Sequence, residues 1–161
     1  MRVFKILLII FSIIIVGVVV YIVGFQFTKE NFSRIPYYVH IHLVLAFLFS
    51  VTNILYHIKS FRFYRRKEKR RLEKKVHKLL WVGTICCSTF LIYIGAGILY
   101  SMIISISYGF SVNTQDLYSI FIFFIPGFLG FLETSLLRKR IRRLRVESDV
   151  YEEIDTIGTE I

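Results

Sequence analysis

The apolar residues of this chain are gathered into four long runs. No Asp, Glu, Lys or Arg occurs between Lys5 and Lys29, between Arg34 and Lys59, between Lys78 and Asp116, or between Asp116 and Glu133. Each gap is rich in Ile, Leu, Val and Phe, and about 20 mainly apolar residues suffice to cross a bilayer core as a helix. The pattern predicts four transmembrane helices, near 5–27, 36–58, 79–104 and 117–137. The short connections 28–35 and 108–116 force antiparallel neighbours. The expected fold is therefore all-α, an integral-membrane up-down-up-down four-helix bundle over residues 1–137, joined by a basic cytoplasmic loop at 59–78. Residues 138–161 are expected to form a cytoplasmic basic helix followed by an acidic tail.

Composition agrees with that division. The 161 residues are 55% hydrophobic, and their grouping leaves no soluble core. The first run follows Arg2 and Lys5 as a signal peptide's would, but it is too long for an h-region and ends without a small-residue cleavage site, so it is expected to be retained. Pro36 suits the first turn of the second helix, and Pro126-Gly127 is expected to bend the fourth.

Charge sets the orientation. Lys59, Arg62, Arg65, Arg66, Lys67, Lys69, Arg70, Arg71, Lys74, Lys75 and Lys78 crowd between spans two and three, and Arg138, Lys139, Arg140, Arg142, Arg143 and Arg145 follow span four. The other connections hold only Lys29, Glu30, Arg34 and Asp116. By the positive-inside rule both termini and the central loop are expected to be cytoplasmic, and the expected location is a multi-pass protein of the plasma membrane. The central loop is polar but contains no Gly or Pro, so helical extensions of spans two and three are expected there. The terminal acids Glu147, Asp149, Glu152, Glu153, Asp155 and Glu160 read as a mobile tail.

So dense a basic loop exceeds what topology needs. Arg65, Arg66, Lys67, Lys69, Arg70, Arg71, Lys74 and Lys75 are the candidate lipid-binding residues, since each cation near an anionic leaflet contributes about 1 kcal/mol. Anionic lipid headgroups are the first partner to consider. An acidic protein, or the chain's own tail, fits the same charge, and nucleic acid is not expected.

Inside the spans, small residues mark packing faces: Gly17 and Gly24 on span one, Gly83 and Cys87 on span three, and Gly127, Gly130 and Thr134 on span four. Cys86 and Cys87 are adjacent and point about 100° apart on a helix, which suits packing and not a disulfide. Glu133 is the one carboxylate near a helix interior, and Arg138, about a turn beyond it, is the expected ion-pair partner.

Span two carries the one polar constellation. His42, Ala46, Ser50, Asn53, His57 and Ser60 fall within about 80° of arc at 100° per residue, a small-and-polar stripe expected to face the bundle interior. His40 points off it. His42 and His57 are separated by about 22 Å of helical rise. Such imidazoles serve either as interfacial and hydrogen-bonding groups, alongside Tyr37, Tyr38, Tyr56, Tyr64 and Trp81, or as axial ligands of haem iron. The stretch VHIHLVLAFLFSVTNILYHIKSF, preceded by IIIVGVVVYIVG, resembles the small four-helix membrane b-type cytochromes, over the first half of the chain. That resemblance implies a haem b held by His57 and His77 near the cytoplasmic side, with His42 at the outer end of the stripe and without a visible partner, and an electron-carrying or anchoring role.

No catalytic motif stands in the sequence. The expected function is that of a non-enzymatic membrane scaffold or interaction subunit with a polybasic cytoplasmic face, the alternative being a b-type haem carrier or anchor.

Overall fold

The computed structural model describes residues 2–28, 36–61, 77–111 and 114–158. Among these residues there are four helices and no strand: α1 Arg2–Thr28, α2 Tyr37–Ser60, α3 Lys78–Ser107 and α4 Thr114–Gly158. Each contains a stretch long and apolar enough to cross a membrane, within Val3–Phe25, Tyr37–Ser60, Lys78–Ser107 and Leu117–Arg143. In hydrocarbon a helix is the favoured state for such sequences, because it pairs every backbone polar group within the segment.

Local chemistry sets the ends. Pro36 stands just before α2, its carbonyl accepting from the Val39 N–H at 3.0 Å. At the start of α3 the ring Nδ1 of His77 accepts from the Leu79 N–H at 3.3 Å, satisfying one of the free donors of a first turn. α3 closes at Gly109, whose φ of 80° glycine adopts without the Cβ clash other residues meet. The Gly109 and Phe110 N–H groups reach back to the carbonyls of Ile106 and Ser105 at 2.9 and 3.0 Å.

α4 differs from its expected outline. It passes through Pro126 without ending and continues as one helix to Gly158, so the acidic stretch expected to be a mobile tail is helical up to that glycine. From Arg138 onward the sequence has no Pro and no Gly before 158, and strong helix formers dominate it. At 1.5 Å per residue its 45 residues extend about 68 Å, twice the thickness of a hydrocarbon core.

Pairwise contacts give the up-down-up-down order. Lys5 meets Ser60 and Ser12 meets Asn53, so α1 and α2 run in opposite directions. Tyr56 lies against Trp81, Phe49 against Phe90 and His42 against Tyr93, which sets α2 antiparallel to α3. Leu80 packs with Leu137 while Gly95 faces Phe124, which does the same for α3 and α4. α1 closes the ring by touching α4.

The tightest seam is between α3 and α4. A Cβ at Gly127 would lie 3.1 Å from the Ser88 carbonyl oxygen and 2.7 Å from Ile92 Cγ1, and one at Gly130 would collide with the Ser88 hydroxyl. Gly83 likewise faces Thr52 of α2. On the glycine face expected on α1, a Cβ at Gly17 would find nothing within 4 Å among the described residues. Gly127→Val should therefore cost about 1–3 kcal/mol by overpacking, and Gly17→Ala should change stability by less than about 0.5 kcal/mol. Unfolding of the two variants in mixed micelles checks the contrast.

Candidate functional site

The polar stripe of α2 is buried only along its C-terminal half. Ser50, Asn53, His57 and Ser60 are all enclosed, and each falls three or four residues after the last, the spacing that keeps one helix face turned to its neighbours. At the C-terminal end of the stripe, His57 and Ser60 face charges that the sequence sets near the membrane edge. Lys5 of α1 is wholly buried, and its ammonium lies 2.7 Å from Oε1 of Glu133, itself 2% exposed. The ion pair ties α1 to α4 in the interior of the bundle.

Other groups complete the enclosure. The Lys5 ammonium also donates to Ser60 Oγ, while the Ser60 hydroxyl donates its own proton to the His57 carbonyl at 3.0 Å. That uses one donor and one acceptor of a single hydroxyl, as its chemistry permits. The Tyr56 and Phe61 rings lie 5.8 and 5.9 Å from the ammonium, within range for a cation–π contribution. His57 is fully buried, with Nδ1 3.7 Å from Glu133 Oε2, too far for a hydrogen bond. Among the described residues, neither ring nitrogen of His57 has a hydrogen-bond partner.

One turn deeper, the Asn53 amide donates to Ser12 Oγ at 2.9 Å. Ser12 is seven residues past Lys5, so the polar seam between α1 and α2 runs about 10 Å along the bundle. Beside the pair, Tyr56, Leu80 and Leu137 form a buried apolar cluster, with Trp81 and Ile141 packed against it.

The pairing of Glu133 with Arg138 expected from proximity in sequence does not form; Glu133 pairs with Lys5. Five residues on, Arg138 stands about 140° round the helix, whereas surface neighbours are three or four apart. Its guanidinium instead lies over the Trp81 ring at 5.9 Å.

The histidines singled out from sequence occupy different surroundings. His57 is enclosed and turned to Lys5 and Glu133, whereas His77 is exposed and bonded to the backbone of its own helix. His42 is half-buried at the far end, with Nδ1 2.7 Å from the Tyr38 carbonyl and its ring 5.9 Å from that of Tyr93. His40 bonds the Pro36 carbonyl at 3.3 Å. Among the described residues there is no group of three His, Cys, Asp or Glu side chains placed to hold a metal ion. Cys87 is buried and Cys86 half-buried, both as free thiols.

The candidate lipid-binding residues Arg65, Arg66, Lys67, Lys69, Arg70, Arg71, Lys74 and Lys75 lie outside the described residues. The points where their segment leaves and rejoins the bundle are described, at Phe61 and His77. The Tyr56–Leu80–Leu137 layer brings both to the end from which α4 carries Arg138, Lys139, Arg140, Arg142 and Arg143, all exposed. No family model, curated protein or solved structure matches this chain.

Proposed function

We propose that the protein is a non-enzymatic integral-membrane interaction subunit that holds a concentrated basic face against anionic lipid headgroups. The four helices cross the plasma membrane, with both termini and the loop at 59–78 on its cytoplasmic side. The observation that carries this is convergence. The loop with eleven Lys and Arg residues and the basic run of α4 leave the bundle at one end, so their charges add at one surface. Each cation held near an anionic leaflet contributes about 1 kcal/mol within a Debye length. The buried Lys5–Glu133 pair supports the same end from within, fastening α1 to α4 beneath it.

Full-length protein in mixed vesicles with spin-labelled phosphatidylglycerol or phosphatidylcholine tests this. The anionic label should associate preferentially at low salt, with the preference shrinking steeply as salt rises. Equal association of the two labels at low salt would refute the assignment.

One observation favours a b-type haem as a second role: a fully buried imidazole, His57, with no hydrogen bond at either nitrogen among the described residues. The fit is partial, because His77, exposed and capping its own helix, does not supply a second ligand where it stands. A purified sample made with ample haem would need to show a Soret band that His57→Ala removes, and a spectrum without one ends this alternative.

A further inference from the structure

Between α3 and α4, at the basic end, the surface opens into a crevice of about 190 Å³ walled by Trp81, Ile85, Phe131, Thr134, Ser135 and Arg138. Its composition changes along its length. At the mouth stand Arg138 and the exposed Ser135. Ile85 is one turn further in than Trp81, and Phe131, seven residues before Arg138, lies about 10 Å deeper. Thr134 adds little polarity, since its hydroxyl donates to the carbonyls of Gly130 and Phe131 at 2.7 and 2.9 Å.

The mouth is suited to an anion. Glu133, the nearest acid in sequence, is held by Lys5 on another face, and no carboxylate among the described residues pairs with Arg138. The Arg138 guanidinium, its Cζ 5.9 Å from the Trp81 ring centroid, carries a fork of N–H donors that matches phosphate geometry. Tryptophan also favours the headgroup level of a bilayer. The crevice thus has a cation and a hydroxyl where a lipid phosphate lies, and apolar walls where its chain begins.

We infer that the α3–α4 crevice binds one anionic phospholipid, its phosphate on Arg138 and Ser135 and an acyl chain along Ile85 and Phe131. This rests on the orientation proposed above, but adds a saturable site to a diffuse electrostatic surface. Basic pockets between helices at this depth are a recurrent way of holding such headgroups.

Trp81, the chain's single tryptophan, reports on the crevice directly. Full-length protein is placed in phosphatidylcholine vesicles holding a minor fraction of phosphatidylglycerol, with brominated chains on one lipid or the other. Brominated phosphatidylglycerol should quench Trp81 about fivefold more than its mole fraction gives, the equivalent of about 1 kcal/mol. Arg138→Gln should remove that excess, and Ser135→Leu, which fills the mouth from an exposed position, should do the same. Arg142→Gln, outside the crevice, should keep most of it. Quenching at the mole-fraction value in the unaltered protein, with the spin-label preference intact, overturns the site but leaves the basic-face function standing. Loss of both overturns the two together. Equal loss in Arg138→Gln and Arg142→Gln also overturns the site, because it reports only diffuse charge.

Discussion

Glu133→Ala is expected to destabilise the bundle by about 3–5 kcal/mol, because it leaves the Lys5 ammonium buried without its counter-ion. Ser60 still accepts from that ammonium, and the Tyr56 and Phe61 rings remain beside it, but neither supplies a full negative charge. Lys5→Met should cost a similar amount by stranding the carboxylate. The double variant Lys5→Met/Glu133→Leu should recover most of the loss, since apolar residues of similar volume often replace a buried ion pair at little cost or with a gain. Reversible unfolding of all four proteins in mixed micelles gives the coupling energy directly. Additive losses, with no recovery in the double variant, would mean that the two charges do not act as a pair.

The second large effect belongs to the surface. Changing Arg138, Lys139, Arg140, Arg142 and Arg143 together to Gln should reduce association with anionic vesicle lipid by up to about 5 kcal/mol at low salt, at about 1 kcal/mol per cation. The difference from the unaltered protein should narrow as added salt shortens the Debye length from about 10 Å at 0.1 M to about 3 Å at 1 M. Removing 147–161 should act in the opposite direction, because it takes away the negative charge of Glu147, Asp149, Glu152, Glu153, Asp155 and Glu160. An anionic preference that survives the five substitutions would place recognition elsewhere, in the 59–78 loop or in apolar contacts such as that of Phe61.

The helices and their order were legible because each depends on a one-dimensional pattern: uncharged length for a span, short connections for antiparallel neighbours. The enclosed half of the α2 stripe was legible for the same reason, as Ser50, Asn53, His57 and Ser60 share a face whatever lies opposite. Identifying what lies opposite was beyond such a pattern. Lys5 reads as a basic flank of the first span, and a lysine near a helix end ordinarily snorkels to the interface. It turns inward here because α4 sets a carboxylate at its depth, 128 positions away in the sequence. Glu133 could be singled out as an intramembrane acid, but its partner sits on another helix, not at the next local cation. Gly17 shows the converse case: a small residue is a capacity for close packing, and among the described residues no neighbour approaches it. The histidines divide on similar grounds, His57 meeting α1 and α4, while His42 leans on the aromatic side chains of α3.

The proposed function requires the two basic runs to lie together on the cytoplasmic side. Single cysteines at Lys69 and Arg143, introduced into full-length protein with Cys86 and Cys87 replaced by serine, test it with a membrane-impermeant maleimide on intact cells. Both positions should resist labelling until the membrane is permeabilised, and both should then label fully. Labelling of either one from outside would separate the runs or invert the bundle, and would contradict the account.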